Sequence, residues 1–323
     1  MKRIIILTIS ALSIMIICSA CEKKTEVVKE MTTDVSEEAA LQSVEPISED
    51  VIATESDDNA NDIPIILDAP PFQYYLSDKS NVKEKHPLQL KLISSTPNEI
   101  IDDDKWFVNN ELDYKSYEVP DSFQSTAGNL PEGIADRYGD LVITSAFYDD
   151  SYIYCIYGTD FAEGHLLNIY DTASLKIMYS LDFFNYGYSP EYVKEDYDYI
   201  QQKITWAAIK DDILYISNSH NTYAESSYNK NAYITAIDLT DMSILWRTEA
   251  LVDNAYNFEI IDDAIICGYG FTNEPDYLYQ IDISSGEVMD KIPLKSAASY
   301  IIKKDNVLYV RTYNMDYEFE IIS

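Results

Sequence analysis

The chain has 323 residues, with 56 acidic side chains against 23 basic ones and a formal charge of −33. A surface of that sign lacks the basic stripe needed to release counterions from a phosphate backbone, which argues against nucleic acid as a partner. Hydrophobic residues at 46% and aromatic residues at 13% exclude a disordered chain, and four cysteines are too few for a disulfide scaffold.

Lys2 and Arg3 precede an uncharged, mostly apolar run from Ile4 to Ile17, long enough for a secretory signal and short for a membrane-spanning helix. The run ends in Cys18-Ser19-Ala20-Cys21. Small residues before a cysteine resemble a lipoprotein signal, which implies cleavage after Ala20 and diacylation of the Cys21 thiol. Cys18 departs from that pattern, which usually has leucine there. Two acyl chains suffice for stable anchoring, so the mature protein is expected as a membrane-anchored lipoprotein on the extracytoplasmic face of the cell membrane. Residues 1–20 are the expected signal peptide.

From Glu22 to Asp62 there is no aromatic residue and no glycine, and 13 acids stand against three lysines. Such a segment cannot bury enough apolar surface to offset its ordering entropy. Residues 21–62 therefore read as the lipidated cysteine followed by a disordered acidic linker, and residues 63–323 as the folded domain.

That domain repeats. A paired acidic step followed by an apolar strand appears at Asp149-Asp150, Asp211-Asp212 and Asp262-Asp263, and as Asp305-Asn306 near the end. A fainter copy is Asp102-Asp103-Asp104-Lys105-Trp106-Phe107. Asp and Asn suit a tight turn, and the β-branched and aromatic residues after them suit a pleated strand. A second element, read as strand, acidic turn and strand, aligns on Asp171, Asp238 and Asp282, with Ser174, Asp241 or Ser285 at the same offset.

These residues resemble the tryptophan-docking repeat of the pyrroloquinoline-quinone-like (quinoprotein-type) β-propellers, Ala-x-Asp-x-x-Thr-Gly-Lys-x-x-Trp. Ala236, Asp238 and Trp246 match the anchors of one copy. Asp282, Ser285 and Gly286 match the turn of another, in which Asp290 replaces Trp, and Asp171, Ser174 and Lys176 match a third, with Tyr179 replacing Trp. The resemblance implies that the Asp and Ser residues organise blade turns and that Trp246 packs between blades. It covers residues 140 to 323 and specifies architecture, not cofactor or activity.

The expectation is an all-β fold, a β-propeller of about five four-stranded blades, with four or six as alternatives. The longest gap between acidic pairs is attributed to an inserted amphipathic helix over 190–203, with Ser189 as cap, Pro190 at its first position, and Val193, Tyr197, Ile200 and Ile204 on one face. The last repeat ends too soon for a complete blade, so an N-terminal segment, Ile63 to Leu67 or Leu88 to Ile93, is expected to complete it.

Candidates for chemistry are sparse. His86, His165 and His220 have no ligand spacing and read as exposed loop residues; Cys155 and Cys267 sit in strands and read as buried thiols. No cofactor is expected. Calcium is the one ion with hard ligands on offer, at Asp102-Asp103-Asp104 or Asp57-Asp58, but no closed calcium loop appears. No glycine-rich phosphate cradle is present.

The 28 tyrosines are the remaining signal. Many belong to strands, but Tyr186, Tyr188, Tyr223, Tyr228, Tyr269 and Phe271 lie among Ser, Gly and Asn, the composition of adaptable contact loops. The expected function is therefore a non-catalytic binding or assembly module for a protein, peptide or glycan of basic or neutral character. The alternative is a carbohydrate-active enzyme using carboxylates in the propeller funnel, for which Glu259, Glu318 and Glu320 are the acids embedded in strands.

Overall fold

The computed structural model describes residues 63–71, 74–75, 86–98, 102–120, 126–160, 163–188 and 200–322. All of them belong to one compact unit, Asp57–Ser323. The expected signal, Cys21 and the acidic linker lie outside the described residues, as does most of the helix expected over 190–203. The described end of that segment is not helical. Ile204, assigned by its spacing to the helix face, lies in a strand that begins at Lys203, where β-branched and aromatic neighbours favour the pleat.

In chain order, three strands come first: β1 (Ile65–Ile66), β2 (Tyr74–Tyr75) and β3 (Gln89–Pro97). Helix α1 (Asp103–Asn110) follows, then β4 (Ser116–Tyr117) and β5 (Arg137–Tyr138). From there the strands run in fours. Blade one is β6 (Leu141–Tyr148), β7 (Tyr152–Gly158), β8 (Leu166–Asp171) and β9 (Ile177–Asp182); blade two is β10 (Lys203–Lys210), β11 (Ile213–Ser219), β12 (Tyr233–Asp238) and β13 (Ser243–Arg247). Blade three is β14 (Glu259–Ile261), β15 (Ala264–Tyr269), β16 (Tyr277–Asp282) and β17 (Val288–Pro293). Blade four is β18 (Ala298–Lys304), β19 (Val307–Thr312) and β20 (Met315–Ile322), and its outer strand is β3 from the N-terminal side.

The fold is thus an all-β propeller. Completion of the last blade by the segment containing Leu88 to Ile93 is as expected: β3 pairs antiparallel with β20 from Gln89 opposite Ile322 to Pro97 opposite Met315. Ile65 and Ile66 do not join that blade. As β1 they pair in parallel with β9, while β2 extends blade two beyond β13.

Blade number falls on one of the alternatives to five, since the described residues form four blades, with β4 and β5 added to the sheet of blade one. The supposed fifth acidic step is not a hairpin. Asp102 caps α1 by accepting from the Lys105 backbone N–H at 3.0 Å, and Asp103 and Asp104 fill its first turn, where carboxylates complement the helix dipole. An acidic cluster before aromatic residues serves a helix start as well as a β-turn, and here the cap wins.

Neighbouring blades share apolar cores. Ile156 and Leu167 of blade one meet Ile216 and Ile237 of blade two. Ile234 and Trp246 meet Ile265 and Ile281 of blade three, and Ile266 and Leu278 meet Leu308 and Phe319 of blade four. Because middle strands are covered on both faces, β7, β11 and β15 are buried nearly throughout instead of alternating. The described residues 102–120 and 126–138 cover the two faces left over. Trp106 of α1 packs on Tyr300 of blade four, with Arg311 bound to Asp103 at 2.5 Å. Farther on, Tyr117, Leu130, Ile134 and Tyr138 cover Ile143, Cys155 and Tyr157 of blade one.

Candidate functional site

Antiparallel order gives the disc two chemically different ends. The turns from inner to second strand, and from third to outer strand, lie at one end; the remaining loops lie at the other.

The first end is acidic. Asp149, Asp211-Asp212, Asp262-Asp263 and Asp305 all occupy inner hairpin turns, where Asp211 and Asp212 sit at φ 52 and 61 and Asp262 and Asp305 at φ 51 and 54. Asp149 instead accepts from the backbone N–H groups of Ser151 and Tyr152 at 2.7 and 2.8 Å. The outer turns use a carboxylate with a hydroxyl. Asp171 accepts from the Ser174 hydroxyl, Asp238 from Thr240 and Asp282 from Ser284, each at 2.6 Å. In the second and third cases the hydroxyl lies two residues on, so Asp241 and Ser285 are not its counterparts. They serve the turn differently: Asp241 accepts from the Ser243 N–H at 2.9 Å, and the Ser285 hydroxyl from the Glu287 N–H at 3.3 Å.

Trp246, buried, lies between blades two and three, donates its indole N–H to the Ile283 carbonyl at 3.2 Å and rests on Gly286. Asp290, at the matching place of blade three, is exposed.

An axial cavity of about 600 Å³ opens at this same end, lined by the closing residues of β6, β10 and β18, by residues 257–260 at the start of β14 and by residues 111–115. Its floor is aromatic. Phe147 stacks on Trp206 at 4.0 Å, Trp206 on Tyr114 at 5.6 Å, and Tyr114 meets Phe107 and the edge of Tyr300. Its walls carry Lys115, Lys210, Lys303 and Lys304 together with Glu111, Asp113, Asp149 and Glu259. Burial pushes the Glu259 carboxyl up to about 7, against the lowering effect of the Lys303 backbone N–H and of the lysine charges. Neither Glu318 nor Glu320 lines the cavity; Glu320 pairs with Lys91 at 3.3 Å on the outer strand.

The opposite end holds the tyrosine loops, and the structure divides them. Tyr186 is buried against Arg247, whose guanidinium lies 4.7 Å from its ring and 4.8 Å from that of Tyr233. Tyr269 is also buried and donates to Glu274, while Tyr188 and Phe271 are partly covered. Burial corrects the expectation that Tyr186 and Tyr269 present themselves to a partner, because each ring fills space next to a charged group it solvates. Tyr223 and Tyr228 are 47% and 55% exposed. Their loop is braced: the Ala224 N–H donates to Glu274 at 2.8 Å, the Tyr223 ring meets Phe271 edge-on at 5.1 Å, and Asn231 bonds both backbone groups of His220.

His220 is buried, not exposed. Its Nε2 meets the Ser227 hydroxyl at 2.7 Å, and burial lowers its pKa to about 4. His165 is partly buried against Asp182, with Nδ1 and Oδ1 3.0 Å apart, and His86 is exposed. Cys155 and Cys267 are buried free thiols, with Cys155 pushed up to about 12 by burial and Cys267 also raised. Neither has thiolate character near neutral pH. Among the described residues no group of three or more His, Cys, Asp or Glu side chains is placed to hold a metal ion.

The sequence pointed to a central funnel and to Glu259 as one of its acids, but not to the lysines and aromatic residues that share its lining. Their signal was nevertheless available, since the residues shortly before each acidic pair ring the axis: Phe147-Tyr148, Ile209-Lys210, Glu259-Ile260 and Lys303-Lys304.

No protein family matches the chain, and no curated protein matches it. Solved structures similar to it include BamB from Moraxella catarrhalis, 14% identical with a TM-score of 0.36 over 56% of this chain and 44% of that one. The computationally designed Ika4 protein is 11% identical, with a TM-score of 0.38 over 60% of this chain and 100% of that one. Sqt1 of Saccharomyces cerevisiae is 11% identical, with a TM-score of 0.37 over 54% and 42% respectively. The matched part thus spans less than half of the BamB and Sqt1 chains.

Proposed function

We propose that this protein is a lipid-anchored, extracytoplasmic binding module that docks a protein or peptide partner on its tyrosine-bearing end without catalysis. The observation that carries the reading is the exposed pair Tyr223 and Tyr228 on a loop whose backbone is fixed by Glu274, Phe271 and Asn231. Exposed aromatic rings on a braced loop offer large contact area at low ordering cost. Partners of basic or neutral character are favoured, because an acidic one would meet like charge.

Crosslinking pull-down from intact cells tests the reading. Tyr223→Ala with Tyr228→Ala should lose the partner that the wild type captures, and an unchanged partner set would refute this face. The anchor is tested separately by fatty-acid labelling, which Cys21→Ala should abolish; a variant labelled as strongly as wild type would refute lipidation there.

A further inference from the structure

We infer that the axial cavity binds a small, neutral, polyhydroxylated ligand of mono- or disaccharide size, held between the ammonium and carboxyl groups of its walls. Its volume of about 600 Å³ suits a small molecule and is far too small for a folded partner.

Charge selects the class. An anion would approach past Asp149-Asp150, Asp211-Asp212, Asp262-Asp263 and Asp305, the turns that directly follow the strands lining the cavity. A cation would meet four lysines inside, set against Glu111, Asp113, Asp149 and Glu259, so the walls hold no excess of negative charge to retain it. Three of those lysines are already engaged: Lys115 with Asp150 at 2.8 Å, Lys304 with Glu111 at 3.4 Å, and Lys210 with the Asp262 carbonyl. A neutral polyol meets neither repulsion and uses both kinds of group, since hydroxyls donate to carboxylates and accept from ammonium groups.

The groups still free to do this are of both kinds. Among the described residues neither the Lys303 ammonium nor the Asp113 carboxylate is held in a direct hydrogen bond or ion pair, although the charge of Lys303 acts on Glu259 and that of Asp113 on Lys115, and both line the cavity. Glu259 sits between them in character. Its Oε1 accepts from the Lys303 backbone N–H at 3.1 Å, and its carboxyl, held up to about 7 by burial, can donate as well as accept near neutral pH. Stacking of a sugar on Trp206 is not part of the arrangement, because Phe147 and Tyr114 already stack on that ring. The apolar contribution comes instead from the lysine stems and from Ile209 and Ile260.

The test is calorimetric titration of the full mature chain in detergent with glucose, cellobiose and maltose, alongside glucosamine and glucuronate as cationic and anionic relatives. At least one neutral sugar should bind saturably, with its charged relatives about tenfold weaker. Lys303→Met and Asp113→Ala should each weaken that binding about tenfold. Glu259→Gln, which keeps one donor and one acceptor, should retain it, whereas Glu259→Leu should not. The double variant Tyr223→Ala, Tyr228→Ala should bind the sugar as wild type does, which separates this site from the docking face. No saturable binding by any neutral sugar would overturn the inference. So would preference for a charged relative, or wild-type binding by Lys303→Met and Asp113→Ala variants that melt normally.

Discussion

Gly286→Ala isolates the contact between blades two and three. Gly286 sits at φ +72, and a Cβ there would stand 2.4 Å from Cε3 and 2.7 Å from Cδ2 of Trp246. The indole cannot easily yield, because it is buried, bonded to the Ile283 carbonyl and packed against Tyr215 with ring centres 5.8 Å apart. Two costs therefore combine: about 1–2 kcal/mol for an L-residue in the left-handed region, and about 1–3 kcal/mol for overpacking. Gly139 supplies the control. It has φ +58 and nothing within 4 Å of its would-be Cβ, so Gly139→Ala should show the backbone cost alone. Urea unfolding of both variants should separate them by about 1–3 kcal/mol, with Gly286→Ala the weaker. In a Trp246→Ala background the clash disappears, and Gly286→Ala should then cost no more than Gly139→Ala. A difference between the two alanine variants below about 0.5 kcal/mol in the wild-type background would refute Trp246 as a rigid wedge.

Glu259→Gln should alter pH dependence. The folded pKa of Glu259 is raised to about 7 from 4.5, so its contribution to stability is complete below pH 4.5 and is lost as pH rises through 7. Urea unfolding should show the variant gaining on wild type by roughly 1–3 kcal/mol between pH 5 and pH 8, and parallel profiles would count against the assignment. Arg247→Met removes the bond to the Pro70 carbonyl at 3.1 Å and the contacts with Tyr186 and Tyr233, and should destabilise by about 2–4 kcal/mol in thermal melts. Arg247→Lys should not restore this, lacking the planar fork. Replacing Asp211-Asp212 by Asn-Gly keeps a turn suited to positive φ at both positions while removing two charges, and should stabilise by up to about 1 kcal/mol; a loss larger than that in urea unfolding would refute the turn assignment.

The blade hairpins were legible because two-residue turns demand particular residues. Asp211-Asp212, Asp262-Asp263 and Asp305-Asn306 each fall between strands rich in β-branched and aromatic residues, and each is an inner turn. The helix at Asp102 was not legible, since the same acids that tighten a turn also cap a helix, and only its packing of Trp106 on Tyr300 distinguishes the outcomes. Loop exposure was equally hidden. Tyr186 and Tyr223 have similar polar neighbours in sequence, yet one is buried beside Arg247, a contact with a residue 61 positions away that no local pattern encodes. The cavity walls could have been located by position but not by type, because Lys210, Lys303 and Glu259 look like ordinary strand-end charges until the four inner strands converge.

Turn chemistry also decides where part of the acidity falls. With nine glycines in the chain, most positions that require positive φ must be filled by other residues, and Asp and Asn tolerate that region best. Asp211, Asp212, Asp262, Asp305, Asn229 and Asn273 all occupy it. Antiparallel topology then gathers the inner hairpins of all four blades at one end, so a local backbone requirement becomes a directional field. That field lies at the cavity mouth and leaves the exposed tyrosines at the opposite end. On the proposals above, a ligand of the cavity would meet that field at close range, while a partner at Tyr223 and Tyr228 would meet the net negative charge of the chain only at a distance and would be oriented there by shape and aromatic contact.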